Sequence, residues 1–182
     1  IGELIVPAVN IDDSKFRNNI NMITCGGQSS IPIANAISNT LDNIEYIEIV
    51  STISSKSAGP GTRANIDEYI ETTENALSIF TGCKNIKAII NLNPAIPSID
   101  MQTTIYVKAH NPNMTIVSKA VVNMVDKIKE YVPGYEIILN PKYSNGIIML
   151  TIKVQGAGDY LPKYAGNLDI INCAAISVAE KI

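Results

Sequence analysis

The chain has 182 residues, 46% hydrophobic and 17% charged, with a net charge of −3. That is enough to bury one sizeable core, and one domain spanning 1–182 is expected. Interspersed acids and bases argue against a nucleic-acid surface, no apolar run approaches the ~20 residues of a membrane span, and Cys25, Cys83 and Cys173 lie far apart. A reducing cytoplasmic setting is therefore expected, with no membrane, nucleic acid or metal.

The chain begins at Ile1 rather than Met and enters directly on Leu4-Ile5-Val6-Pro7-Ala8-Val9, which reads as the interior of a longer polypeptide. Ile11 to Phe16 reads as a short polar helix with Asp12 and Asp13 near its positive end. The alternation from Asn19 to Thr24 predicts a short strand and Gly26-Gly27 a sharp turn. Ser29, Ser30 and Pro32 predict the opening of a helix carrying Ile33, Ala36, Ile37 and Leu41, which stops at Asp42-Asn43.

Cys25 then stands at a strand end facing a helix start. Free N–H groups and the positive end of the helix dipole favour an anion there, so its thiol is expected to ionise more easily than an exposed one. The same groups would steady an oxyanion formed by attack on a carbonyl. The residues alone leave two readings open: such a nucleophile, or a small buried residue beside a tight turn.

Ile44 to Ser54 is rich in β-branched residues and reads as a long strand, with no partner legible for Glu48. The glycine-, serine- and proline-rich run from Ser54 to Asn65 reads as a loop. Gly61 is followed by Thr62-Arg63 rather than Lys-Ser/Thr, which excludes a nucleoside-triphosphate loop. The loop runs into a helix with the stripe Ile66, Ile70, Thr73, Leu77 and Phe80, and Asn65 with Glu68 reads as its capping pair. Backbone N–H groups there, beside Lys56 and Arg63, are suited to a phosphate or carboxamide, while a crossover loop with solvated charges is the plainer alternative.

Lys87 to Leu92 and Gln102 to Lys108 read as strands, and Met114 to Tyr131 as a helix with Val117, Val121, Val125 and Ile128 on one stripe. His110, the single histidine, sits in an Asn-Pro turn and reads as a solvated loop residue. Tyr135 to Leu139 and Ile147 to Val154 read as strands of a hairpin around Asn145-Gly146, the second burying Ile148, Leu150, Ile152 and Val154. A loop from Gln155 to Gly166 precedes a last helix from Asn167, and Cys83 and Cys173 read as packing residues. The expected fold class is α+β, a mixed and largely antiparallel sheet with helices on one face.

Three segments together, Asn21-Met22-Ile23-Thr24-Cys25-Gly26-Gly27-Gln28, Ser54 to Glu68 around Ala58-Gly59-Pro60-Gly61-Thr62-Arg63, and Tyr160 to Ile170, resemble the acylating acetaldehyde dehydrogenases. These work beside 4-hydroxy-2-oxovalerate aldolase in the meta-cleavage pathways of aromatic catabolism. The resemblance covers nearly the whole chain and implies the catalytic and dimerisation part, similar to the C-terminal domain of glyceraldehyde-3-phosphate dehydrogenase.

It implies that Cys25 is the nucleophile, forming a thiohemiacetal with acetaldehyde, giving hydride to NAD and leaving an acyl-thioester for coenzyme A. Ser57, Ala58, Gly59, Pro60, Gly61, Thr62, Arg63, Ala64, Asn65 and Asn167 would be cofactor-binding positions. Asn65 with Ile66 would line the substrate pocket and the tunnel from the aldolase. A homodimer is implied, with the last helix, about 167–182, packing toward an NAD-binding half.

That half carries a Gly-rich turn which this chain lacks, so the 182 residues alone are expected to be inactive. At the position where the family usually has an acid, this chain has Thr103, with Asp100 the nearest carboxylate, and the general base stays open. The alternative is a catalytically inactive module of the same fold that pairs with itself or with the aldolase.

Overall fold

The structure is a computed structural model that describes residues 2–11 and 19–181. The expected helix from Ile11 to Phe16 lies, beyond Ile11, outside the described residues. In chain order the elements are β1 (Glu3–Leu4), α1 (Pro7–Asn10), β2 (Ile20–Asn21), α2 (Cys25–Ser38) and β3 (Tyr46–Ser54). A single 3-10 turn (Ser55–Ser57) leads into α3 (Pro60–Ala64) and α4 (Ile66–Thr81). They are followed by β4 (Ile86–Asn93), β5 (Met101–Lys108), α5 (Met114–Lys129), β6 (Tyr135–Ser144), β7 (Ile147–Val154) and α6 (Gly166–Ala179).

Five strands form one sheet in the order β4-β3-β5-β7-β6. The pair β3/β4 is parallel and the other three pairs are antiparallel. Parallel neighbours cannot be joined by a tight turn, and α4 supplies the crossover between them. The fold class is the expected one: mixed, mainly antiparallel, with one face under helices.

Strict alternation decides which face that is. Ile47, Ile49, Ser51 and Ile53 are buried along β3, Met101, Thr103, Ile105 and Val107 along β5, and Ile148, Leu150, Ile152 and Val154 along β7. Register stacks them, with Ile49 opposite Ile105 and Ile105 opposite Leu150, so one continuous apolar floor results. Helix α2 lies over β3 and β5, α4 over β4 and α5 over β6, while α6 packs on α2. The helices therefore cover the Ile148, Leu150 and Ile152 face. On the opposite face Glu48 does have a partner, the Tyr46 hydroxyl, which donates to it at 2.7 Å.

Several local expectations change. The strand before Cys25 is only Ile20–Asn21, paired in parallel with Glu3–Leu4. The chain turns at Ile23, which adopts a left-handed φ of 66°, and Cys25, Gly26 and Gly27 form the first turn of α2. Pro32, expected to open that helix, lies inside it. The decisive residue is Thr24, whose hydroxyl accepts from the Gly27 N–H at 2.8 Å and so caps a helix that begins at Cys25, ahead of Ser29, Ser30 and Pro32.

The Ser54 to Asn65 run is not simply a loop but holds the 3-10 turn and α3. Asn65 follows α3 directly, with φ −121° and ψ 35°, and its side chain reaches back to the Gly61 carbonyl at 3.1 Å. The capping pair with Glu68 does not form. Strand β6 also runs on to Ser144, because two register shifts absorb Pro141 at the sheet edge. The hairpin turn itself is as read: Asn145 and Gly146 have φ of 52° and 82°.

Candidate active site

Cys25 is the first residue of α2, half-buried, and lines a cavity of about 360 Å³. Three helices present their first turns to that space: α2 through Cys25, α4 through Glu68 and Tyr69, and α6 through Asn167 and Leu168. Thr62 of α3 and Asn65 at the α3/α4 junction complete one wall, and Ile53 at the end of β3 forms part of the floor. Each helix start carries a partial positive charge from its unpaired N–H groups, offset at α4 by Asp67 and Glu68 and at α6 by Asp169 and left without a first-turn acid only at α2.

At the sulfur, however, burial decides. Desolvation pushes the Cys25 thiol up to about 11, against smaller downward pulls from the Tyr69 phenol and the N–H groups of Gly26 and Cys25. The expectation of an easily ionised thiol is therefore not met in the resting chain. The physical reason is that the protein atoms packed around the sulfur cost it more solvation than the phenol and the N–H groups restore.

Beneath Cys25 lies a layer of hydroxyls. Thr103 is fully buried, with its oxygen 2.9 Å from that of Ser29 and 3.2 Å from that of Ser51. Ser29 and Ser30 both donate to the Gly26 carbonyl, at 2.9 and 2.6 Å. Thr24 meets the Thr73 hydroxyl at 2.7 Å. Gly26 has to be small: a methyl group there would run into the Tyr69 phenolic oxygen. That oxygen is buried and without a hydrogen-bond partner, as is Oδ1 of Asn167.

Of the expected cofactor positions, Thr62, Asn65 and Asn167 line the cavity with Cys25, and Ser57, Ala58, Gly59, Pro60, Gly61, Arg63 and Ala64 do not. Nδ2 of Asn167 ties α6 to this segment through the Ser57 carbonyl at 3.3 Å. Arg63 is occupied within it, donating from Nε to the Ala58 carbonyl at 3.2 Å and from Nη2 to the carbonyl and hydroxyl of Ser55 at 3.0 and 2.9 Å. Ile66 is half-buried next to Asn65 but outside the cavity lining.

Asp100 accepts from Gln155 at 3.1 Å and lies 3.9 Å from Lys153, whose side chain belongs to the sheet face away from the helices. It is turned away from the sulfur. His110 is 81% exposed and pairs with Glu45, just before β3 begins. Eight residues of extended chain, roughly 26 Å, separate Glu45 from Ile53 at the cavity.

Glu68, Tyr69 and Thr72 are site residues that the sequence reading passed over. With Asn65 they follow the spacing of one helix face, offset from the apolar stripe that identified α4.

A family model described as "Prokaryotic acetaldehyde dehydrogenase, dimerisation" matches residues 25–162. The chain is 58% identical over 184 residues to the acetaldehyde dehydrogenase of Pectobacterium atrosepticum, covering 100% of this chain and 62% of that protein. It is 54% identical over 180 residues to that of Burkholderia thailandensis, covering 99% and 61% respectively. For the acetaldehyde dehydrogenase of Carboxydothermus hydrogenoformans the identity is 50% over 182 residues, covering 100% and 60%. The chain thus spans about three fifths of the length of these relatives. The crystal structure of aspartate semialdehyde dehydrogenase II from Vibrio cholerae, complexed with ASA, is similar in fold, with a TM-score of 0.57 at 14% identity over 98% of this chain and 64% of that one.

Proposed function

The chain belongs to the prokaryotic acetaldehyde dehydrogenase dimerisation family, and on that premise we propose that it is the catalytic part of an NAD- and coenzyme A-dependent acetaldehyde dehydrogenase with Cys25 as nucleophile. One observation carries this reading: Cys25, Asn65 and Asn167, from three separate stretches of sequence, line one cavity at three helix starts. The relatives, named acetaldehyde dehydrogenase, do not favour the inactive-module alternative.

In this reading the Cys25 thiol gives its proton to solvent and the sulfur attacks the aldehyde carbonyl, giving the oxyanion of a thiohemiacetal. The N–H groups at the start of α2 hold the developing oxyanion, which is where their partial charge is of use. Asn167 fits a nicotinamide carboxamide, because its buried Oδ1 lacks a donor. When bound, the nicotinamide supplies the acceptor for the hydride. Cys25 is left carrying an acyl-thioester, and the coenzyme A thiol removes it as acetyl-CoA. Asn65 and Ile66 belong to the route by which aldehyde arrives from 4-hydroxy-2-oxovalerate aldolase, and Ser57 to Ala64 to the cofactor surface. The setting is the reducing cytoplasm, which keeps Cys25 a thiol.

The uncovered sheet face is read as the homodimer contact. It carries Val50, Ile89, Tyr106 and Met149, all half-buried although, among the described residues, no helix lies on them. Across its centre Thr104 meets Thr151 at 3.0 Å. The family description as a dimerisation domain supports a homodimer, for which this face is the proposed contact.

The catalytic test joins the chain to a nucleotide-binding half and follows NADH formation. Formation that requires both acetaldehyde and coenzyme A, and is abolished by Cys25→Ala, is the expected result. Turnover that survives Cys25→Ala would overturn it.

A further inference from the structure

Resting on Cys25 as the nucleophile, we infer that Tyr69 is its positioning residue, a buried phenol that donates a hydrogen bond to the sulfur when the sulfur carries negative charge. The phenolic oxygen lies against Gly26, the residue after Cys25, and Tyr69 and Cys25 line the same cavity. This oxygen is buried and has no hydrogen-bond partner.

A buried O–H without an acceptor costs stability and calls for an explanation. The Ser51 and Thr24 hydroxyls lie near the phenol but hold other partners at hydrogen-bond distance. Thr24 accepts from Gly27 and meets Thr73, while Ser51 meets Thr103. The Cys25 sulfur is the neighbour of the phenol whose strength as an acceptor changes with ionisation. A neutral thiol is a weak acceptor and a thiolate a strong one, so the unsatisfied donor of the resting state becomes a charge-assisted bond when the thiol ionises. Burial and the adjacent sulfur raise the Tyr69 phenol well above its ordinary range, which keeps the proton on it as a donor. Preorganisation of this kind places the donor in advance of the charge it serves.

The experiment measures the rate of Cys25 alkylation by iodoacetamide on the full chain from pH 7 to pH 11. The label is located by peptide mass spectrometry, with Cys83 and Cys173 as internal references. Tyr69→Phe keeps the ring and removes only the O–H. It is expected to displace the log rate against pH by about one unit, so that Cys25 reacts about ten-fold more slowly at a given pH below its midpoint. Superimposed profiles would overturn the inference.

Gly26→Ala, which pushes the phenol off the sulfur without deleting it, is expected to shift the profile the same way and serves if Tyr69→Phe does not fold. Ser51→Ala is expected to leave the profile in place, and a shift as large as that of Tyr69→Phe would assign the effect to the hydroxyl layer and overturn the role of the phenol. If Cys25→Ala abolishes aldehyde oxidation in the joined protein while Tyr69→Phe leaves the alkylation profile unmoved, the inference fails and the proposed function stands.

Discussion

At Cys25 two opposing effects act on one sulfur, and their balance can be followed by pH. The thiol is raised from 9.0 to about 11, mainly by desolvation. A raised acid binds its proton more tightly in the folded chain, so the stabilising effect is fully present below pH 9 and is lost as pH rises toward 11. Urea unfolding at several pH values should show a steeper loss over that window for the wild type than for Cys25→Ser, which has no group titrating there. Parallel pH dependences would contradict the burial of the thiol. Gly26→Ala tests the close approach on the other side of the residue. Overpacking against the phenol should cost about 1–3 kcal/mol in urea unfolding, whereas a neutral outcome would mean that Tyr69 moves aside freely. Cys25 was legible as special from its place before a glycine pair and a helix. The upward shift was not, because desolvation depends on Tyr69 and the other cavity walls, which are remote in sequence.

At the scale of elements, the start of α2 depends on a single hydroxyl. Thr24→Ala removes the acceptor for the Gly27 N–H and the contact with Thr73, and should cost about 1 kcal/mol, measured as a lower urea midpoint at unchanged slope. If the midpoint does not move, the cap is not what sets this helix start. The sheet was readable almost strand by strand, since period-2 alternation in β3, β5 and β7 coincides with burial. What failed were boundaries governed by side-chain hydrogen bonds. Pro32 and the Ser54 to Asn65 run look like breaks to a propensity reading, and tertiary contacts carry helix through or into both. The polar face Asn65, Glu68, Tyr69 and Thr72 was equally legible in spacing, yet its importance appears only when the α2 and α6 starts are brought opposite it.

Across the whole molecule the two faces of the sheet differ, one buried under helices and the other proposed as the dimer contact. Leu150 is fully buried under the helices at the centre of the floor. Leu150→Ala should cost about 2–5 kcal/mol by urea unfolding, and a cost below that range would mean the core collapses readily around the gap. On the other face, Met149→Glu should leave monomer stability within about 0.5 kcal/mol yet lower the mass seen by light scattering from dimer to monomer. A dimer that persists would exclude this face as the contact.

The cavity walls also differ in how they are attached. All five strands end by Val154, whereas the wall bearing Asn167 follows after the 155–165 connection, whose Tyr160 is 97% exposed. A single protease nick in that connection would leave the sheet covalently continuous and free the final helix to depart. Cleavage kinetics there would report occupancy of the cavity without any catalytic assay: a ligand that bridges α2 and α6 should slow the loss of the last segment, and one held by α4 alone should not.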